Sequence, residues 1–455
     1  KPEEVKKRAI HKKGIIVLVS TEWCPPCNVV KEFLIPSKTF KEATKDFFLV
    51  YVDGDSSEMD QWRPILRSYY YPSFVMLNHN MQRVDIITSY QYGYKLRDWI
   101  QTSQKHLNDT IDSLEKRLLE REKKGLWSQI KSLFTSEESL IEDEKRWMNY
   151  LRATNQTEEK ESFFKRDPKR EKRHPIEALA TKLMNVWIGK KSGLLSSDER
   201  AKKRSEYIQK IFLTAKPEDY EKIPYVAWLA TEHCPKPNPE KKEKNPYFTQ
   251  EECQKILNEV MAFIEREFDK MKSQLTPTES IYFESELATT KGQIYASLGK
   301  TEMSQQAYQT CNEKLNALYK ESPLGQKSRA VRIQQVYCLK ENDSNQNLAV
   351  LQSLAKDYPY DATFYGKLAD YYLDKKEYSK ALDNVKLAVK YSYGDMWAKN
   401  TNKKAKILSA MGHDKKALKA LEEAFSEINL TKDHKKQWWL NAMRGQYEAL
   451  KKKLK

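Results

Sequence analysis

The chain lacks any apolar run that approaches the ~20 residues a bilayer-crossing helix requires, so its 455 residues read as free of transmembrane segments. Cysteine is sparse, six in all, and only one pair has the spacing Cys-x-x-Cys. The second such pair, or the His pair, that would close a tetrahedral zinc site is missing. His233 beside Cys234 adds one scattered donor, which is not a metal motif. No signature of a nucleic-acid module occurs, and the lysines are spread along the chain instead of forming one stripe. The chain begins at Lys1 without an initiator Met, which fits a trimmed signal peptide or lipoprotein leader and fits a cloning boundary equally well.

What is present bounds the rest. Ordinary domain sizes give about three units for this length. A hydrophobic fraction of 39% and a charged fraction of 32% suit a largely helical protein with continuous cores. The net charge of +16 favours anionic partners such as acidic proteins, phospholipid surfaces or wall polymers, through long-range attraction that salt screens.

The chemistry is concentrated in Trp23-Cys24-Pro25-Pro26-Cys27, which follows the apolar run Ile15-Ile16-Val17-Leu18-Val19 and opens a helix-like stretch through Val29, Val30 and Phe33. A strand that hands over to a helix at a Cys-x-x-Cys pair is a site for thiol-disulfide exchange. Unpaired amides and the positive end of the helix dipole stabilise a thiolate on the first cysteine. Cys24 is therefore the expected nucleophile. Cys27, one turn on, is the expected resolving thiol that attacks the mixed disulfide and releases the partner. Pro25 and Pro26 remove two N–H donors, leaving the amides of Cys27 and Asn28 in reach, and no histidine sits between the cysteines. A modestly lowered thiol pKa and a site poised towards reduction are expected.

These residues resemble the thioredoxin superfamily over about the first 105 positions. Phe47-Phe48-Leu49-Val50-Tyr51-Val52-Asp53 reads as the next strand, and Tyr71-Pro72-Ser73-Phe74-Val75-Met76-Leu77 looks like the family's cis-proline loop and following strand. The likeness is nearest to thioredoxin-like domains of bacterial extracytoplasmic reductases, with a second helical segment at Ser37 to Lys45. It implies an α/β thioredoxin-like fold, Pro72 as the cis-proline opposite Cys24, and no cofactor beyond the Cys24/Cys27 dithiol. Trp23, Pro26, Tyr71 and Pro72 are the expected client contacts, where an extended peptide could pair along the loop. Tyr69 and Tyr70 read as ordinary half-buried residues. One departure stands out: thioredoxins usually carry a buried Asp six residues before the first cysteine, and this chain has Leu18. Proton transfer for Cys27 then falls to water, to Glu22 or to the partner.

The remaining cysteines fall into two local pairs, Cys234 with Cys253 and Cys311 with Cys338. The first brackets a Pro-rich, charged loop from Pro235 to Pro246, and a staple there could contribute ~3 kcal/mol in the chain-entropy model. The second pair lies on two consecutive helices. As disulfides they place the protein in an oxidising compartment, most simply a bacterial periplasm. As buried free thiols they would suit a cytoplasmic protein.

Beyond the first unit, Leu107, Ile111, Leu114 and Leu118 have helical spacing, as do Trp127, Ile130, Leu133, Phe134, Leu140, Trp147 and Leu151. The basic run from Lys165 to Pro175 reads as a solvated loop, with an acidic surface or phosphate as the alternative ligand. Towards the C-terminus, Phe364, Leu368, Ala369, Tyr372, Ala381, Val385 and Ala388 resemble a tetratricopeptide repeat. Ala405, Leu408, Gly412, Ala417, Leu421 and Ala424 repeat it 36 residues on. Gly292, Tyr295, Gly299, Ser304, Tyr308 and Cys311 form an earlier, degenerate copy. The fold expected is multidomain: a thioredoxin-like domain over 1–106, a helical connecting region over 107–215, and a helical-repeat solenoid over 216–455 with Trp438, Trp439, Leu440 and Leu450 on a final cap helix.

Two functional readings follow. In one, the protein is an extracytoplasmic thiol-disulfide oxidoreductase, reducing, whose solenoid recruits cysteine-containing clients and which draws electrons from a thiol-disulfide donor. In the other, it is a binding scaffold whose thioredoxin-like domain serves mainly for docking. The intact cysteine pair and proline loop favour the first; Leu18 and the large non-catalytic portion favour the second.

Overall fold

The structure, a computed structural model, describes residues 1–68, 70–89, 92–123, 137–154, 157–166, 175–188, 197–223, 226–234, 248–322, 324–342, 344–392, 394–427 and 438–454. Tyr69, the stretch holding Trp127 to Phe134, the basic run between Arg166 and Pro175, and the Pro235–Pro246 loop lie outside the described residues. The chain forms two compact units, Lys1–Arg166 and Asp167–Lys455.

The first unit opens with helix α1 (Pro2–Arg8) and strand β1 (Ile15–Ser20). Every residue of β1 is buried, as expected for a central strand covered on both faces. It pairs in parallel with β2 (Phe48–Asp53), Val17 opposite Val50, and antiparallel with β3 (Ser73–Leu77), Val17 opposite Val75. β4 (Arg83–Thr88) closes the sheet antiparallel to β3, giving the order β2-β1-β3-β4. Between β1 and β2 run α2 (Pro25–Val29), a π-turn over Val30–Leu34 and α3 (Lys38–Thr44). The Ser37 hydroxyl caps α3 by accepting from the Phe40 amide at 3.2 Å. α4 (Met59–Leu66) precedes β3, and α5 (Gly93–Ser103) follows β4. Ile16 and Leu18 of β1 pack with Val30, Leu34, Phe40, Phe74 and Ile100, so one core fixes the π-turn after α2, α3 and α5 on the sheet.

Three more helices belong to this unit: α6 (Ile111–Lys123), α7 (Glu137–Ala153) and α8 (Thr157–Arg166). Arg146 of α7 donates to the Val84 carbonyl of β4 at 2.7 Å and pairs with Asp109 at 3.4 Å. Asp109 also accepts from both terminal nitrogens of Arg117. The buried Arg83 guanidinium lies 5.6 Å from the Tyr150 ring centroid. Polar contacts of this kind tie α7, from the first part of the connecting region expected over 107–215, to the edge of the sheet.

In the second unit the described residues are helical: α9 (Pro175–Ile188), α10 (Ser197–Thr214), α11 (Val226–His233), α12 (Gln250–Lys272), α13 (Pro277–Ser297), α14 (Thr301–Glu321), α15 (Arg329–Asn342), α16 (Ser344–Asp357), α17 (Ala362–Asp374), α18 (Tyr378–Lys390), α19 (Gly394–Ala410), α20 (Asp414–Glu427) and α21 (Trp438–Leu454). From α13 onward, helices adjacent in sequence pack as successive hairpins. Phe364, Leu368, Ala369, Tyr372, Ala381 and Val385 share one buried cluster with Ile333 and Leu354. Ala405, Leu408, Ala417, Leu421 and Ala424 share the next with Met443 and Leu450 of α21. The same turn recurs in three hairpins: Gly299, Lys376 and Gly412 adopt φ of 72°, 60° and 79°. In each, the following amide donates back across the helix end, Lys300 to Tyr295, Glu377 to Tyr372 and His413 to Leu408, at 2.8–2.9 Å. Cys234 at the end of α11 is joined to Cys253 in α12, Cα atoms 5.4 Å apart, and Cys311 of α14 is joined to Cys338 of α15, Cα atoms 6.1 Å apart. No helix among the described residues is long and apolar enough to cross a membrane.

Candidate active site

The site lies where β1 ends and α2 begins. Cys24 is the N-cap of α2, with extended backbone, and its Sγ accepts from the Cys27 amide at 3.2 Å. Pro25 and Pro26 occupy the first two helical positions, so neither offers a donor. The Asn28 amide, a candidate second donor from the sequence, is instead used by the Cys24 carbonyl at 3.2 Å. One N–H therefore faces the sulfur. Cys24 and Cys27 are joined as a disulfide, Cα atoms 5.2 Å apart. Cys24 keeps 3% exposure and Cys27 none, so the first cysteine is the less enclosed of the two.

Asn28 holds the loop before the helix. Its side-chain amide donates to the Glu22 carbonyl at 3.0 Å and to the Cys24 carbonyl at 2.8 Å. The Glu22 carboxylate, a proton-transfer candidate in the sequence, is exposed and engages Lys31 at 2.6 Å. Lys31 also lies 5.9 Å from the Tyr51 ring centroid. Burial, followed by the nearby charges of Glu22 and Asp53, pushes the Tyr51 phenol up to about 12. Leu18 is buried among Val30, Leu34 and Phe74, so an apolar side chain fills the place where the resemblance leads one to look for an acid. The nearby Ser20 and Thr21 side chains are buried as well.

In the loop before β3, the Tyr71–Pro72 peptide is cis. Ser68 donates to the Ser73 hydroxyl at 2.7 Å, and Ser73 to the Tyr70 carbonyl at 2.5 Å, which braces the loop from behind. The Pro72 carbonyl accepts from the Ser89 amide at 2.9 Å. Trp23 and Tyr71 meet edge to face, centroids 5.8 Å apart at 89°. Trp23 precedes Cys24 and the part-buried Pro25 and Pro26 lie between the two cysteines, so apolar side chains border the pair along the chain.

Three contributions near the cysteine pair escape sequence reasoning, those of Asp55, Gly54 and the Asn28 side chain. The Trp23 indole N–H donates to Asp55 at 2.5 Å. Gly54, between Asp53 and Asp55, leaves room for Tyr71: a Cβ there would lie 2.6 Å from both Cζ and Oη of that ring. Asn28 is the third. The available signal was the Asp53-Gly54-Asp55 turn at the end of β2, which periodicity alone does not connect to a tyrosine seventeen positions later. Among the described residues, no group of three or more His, Cys, Asp or Glu side chains is placed to hold a metal ion.

Comparison with known proteins agrees with this architecture at the N-terminus. Residues 2–79 match a family model described as thioredoxin-like. No curated protein matches. Among solved structures, the chain aligns with a crystal structure of a tetratricopeptide repeat protein from Parabacteroides merdae, over 56% of this chain and 97% of that one, at 16% identity and a TM-score of 0.22. The protein thus joins an N-terminal thioredoxin-like unit to a long all-helical region. The repeat character of that region rests on its own turns and small-residue contacts.

Proposed function

We propose that this protein is a thiol-disulfide oxidoreductase that reduces protein disulfides outside the cytoplasm, with clients recruited by the helical repeats. The observation that carries the reading is the Cys24–Cys27 pair at the N-terminus of α2, with Trp23 just before it in ring contact with Tyr71 of the cis-proline loop. In the dithiol form, the Cys24 thiolate attacks one sulfur of a client disulfide, a new S–S bond forms, and the other client sulfur leaves as a thiolate. Cys27, as thiolate, then attacks Cys24 Sγ, expelling the second client sulfur and closing the Cys24–Cys27 bond. Two electrons pass from the enzyme dithiol to the client, and the released thiolates take up the protons that Cys24 and Cys27 lost. A dithiol donor returns the pair to its starting state. Paired Cys234–Cys253 and Cys311–Cys338 support an oxidising compartment, most simply a periplasm.

With Leu18 behind the motif, the Cys27 proton goes to water, to Glu22 or to the client, which slows the second step. The same residue favours the alternative, a scaffold with a docking thioredoxin-like unit. The two separate cleanly by trapping. A Cys27→Ala variant stalls at the mixed disulfide, and non-reducing gels of the full chain expressed in its host should show covalent adducts that a Cys24→Ala control lacks. Well-folded Cys27→Ala protein without adducts would overturn the oxidoreductase reading and leave the scaffold.

A further inference from the structure

In the oxidised protein the Cys24 sulfur is held at the end of α2 by the disulfide to Cys27, and that bond is gone in the dithiol that attacks a client. The thiolate then needs another support to stay over the helix N-terminus. Thr21, Glu22 and Trp23, which lead into the cap, lie outside both β1 and α2, so neither element's hydrogen-bond ladder fixes them. Asn28 supplies a support at this point. Its side chain, only 3% exposed, reaches back past the cap and donates to the Glu22 carbonyl at 3.0 Å and to the Cys24 carbonyl at 2.8 Å. Its backbone amide donates to the Cys24 carbonyl as well, at 3.2 Å. One residue thus pins the backbone at both ends of Trp23-Cys24 and places two donors on the carbonyl of the cap residue. None of these bonds involves sulfur, so opening the disulfide leaves them intact.

The chemical consequence runs through one dihedral angle. Cys24 has φ −85° and ψ 112°, and in that conformation its Sγ accepts from the Cys27 amide at 3.2 Å. Rotation about ψ turns the Cys24 carbonyl against its own side chain, so a carbonyl held by two donors fixes where the sulfur sits. Pro25 and Pro26 bring no N–H of their own, which makes the Cys27 amide the donor on which a Cys24 thiolate depends. The helix dipole adds to it only within the first turn. A sulfur that drifts from this place loses a hydrogen bond to its charged form and part of the dipole, and its thiol becomes harder to ionise. Asparagine is also a poor residue for the inside of a helix, since its side chain competes for backbone groups. Here that competition is what ties the incoming loop to α2.

We propose that Asn28 is a positioning residue for Cys24, holding its thiolate over the Cys27 amide once the Cys24–Cys27 bond has opened. The proposal rests on the reading of Cys24 as the attacking thiol and adds the residue that keeps it activated in the dithiol form. Asn28 does not touch the client or the sulfur; it acts through the Glu22 and Cys24 carbonyls. Its loss should therefore change how readily Cys24 ionises and leave the reactivity of the thiolate, once formed, as it is.

The test follows alkylation of Cys24 by iodoacetamide against pH, read by mass spectrometry of the Cys24 peptide, in the full chain carrying Cys27→Ala. That background leaves Cys24 as a lone thiol with the backbone amide at position 27 in place, while Cys234–Cys253 and Cys311–Cys338 stay paired. The midpoint of the pH profile reports ionisation, and the plateau at high pH reports access to the sulfur. Adding Asn28→Ala should raise the midpoint by about one pH unit and slow alkylation at pH 7 by about five- to tenfold, with the plateau unchanged within about twofold. Asn28→Ser, which keeps one hydroxyl donor for two carbonyls, should fall between the two and guards against a folding defect in the alanine variant. Ser37→Ala removes the cap of α3 in the same unit and leaves both carbonyls alone, so its midpoint should match the background. An unmoved midpoint in both Asn28 variants would overturn the proposal, as would an equal shift in Ser37→Ala, which would mean general loosening of the unit. A lowered plateau with an unmoved midpoint would also overturn it, by placing Asn28 in packing alone. The redox reading is scored separately, by the client adducts of Cys27→Ala with Asn28 intact. A shifted midpoint without adducts removes only the oxidoreductase, and adducts with an unshifted midpoint remove only the role of Asn28.

Discussion

Gly54 and Gly299 stand for the two halves of this molecule. At Gly54 the missing side chain is a matter of space, because the Tyr71 ring occupies the place a Cβ would take. At Gly299 nothing lies within 4 Å of that position, and the glycine answers only to a left-handed backbone, φ 72°. The thioredoxin-like unit depends on single contacts between segments far apart in sequence, all converging on one pair of sulfurs. The helical unit depends on a local device used again and again, and its stability is close to a sum of neighbouring hairpins. Damage to the first should therefore be functional and abrupt, and damage to the second should be graded.

That contrast can be broken at three places. The largest effect is expected for Gly54→Ala, which drives a methyl group into Tyr71 and displaces the ring from Trp23. Insulin-disulfide reduction should fall by about tenfold or more, since small misplacements next to reacting groups are costly in rate, while the helical content by circular dichroism stays as it is. Unchanged turnover would mean that Tyr71 has no part in holding the client.

A middle-sized effect is expected at Asp109, which accepts from Arg117 and Ser113 and pairs with Arg146. Burial alone would raise its carboxyl, but the Arg117 and Ser113 hydrogen bonds prevail and hold it at about 2. A folded-state value below the unfolded one means that the charge stabilises the fold above pH 3.8, and that this contribution is lost as pH falls towards 2. Asp109→Asn should cost about 1–2 kcal/mol at pH 7, after allowance for solvent screening, and almost nothing near pH 2. Urea unfolding of the full chain at the two pH values gives the comparison. A cost that persisted at low pH would place the role of Asp109 in shape and not in charge.

The smallest effect, opposite in sign, is expected at Lys376, which takes φ 60° where the neighbouring hairpins have glycine. Lys376→Gly removes a left-handed strain and should stabilise the helical unit by about 0.5–1 kcal/mol. A higher melting temperature with unchanged insulin reduction would confirm that the turn is a repeating structural device. A lower one would show that the glycine's extra freedom in the unfolded chain outweighs the strain.

Much of this was legible in the sequence because the signals are local. A buried central strand needs an unbroken apolar run, and Ile15–Val19 supplies it. A helix that starts with two prolines after a cysteine can start only at its N-terminus, which puts Cys24 at the cap. Small residues spaced by 36 mark helices that must approach closely, and Ala369, Ala381, Ala405 and Ala417 are all buried. The supports of the site were less legible, because they come from the ends of other strands. Trp23 finds Asp55 across 32 residues, and Gly54 makes room for Tyr71 only once β2 and β3 flank β1. The donor count at Cys24 shows the same limit: an amide in reach by position, that of Asn28, is taken by a carbonyl.

What the sequence by itself determined is the set of elements and the reactive pair, since strand, cap and hairpin turn each follow from the covalent and conformational properties of a few neighbouring residues. What only the tertiary structure decided is company. It joined Arg146 of α7 to Val84 of β4 and to Asp109, set Leu18 among apolar neighbours, and seated the Lys403 ammonium on Asp370 of α17. Burial and charge depend on distance through space, and chain order carries that distance only as far as a helix turn or a strand pair can reach.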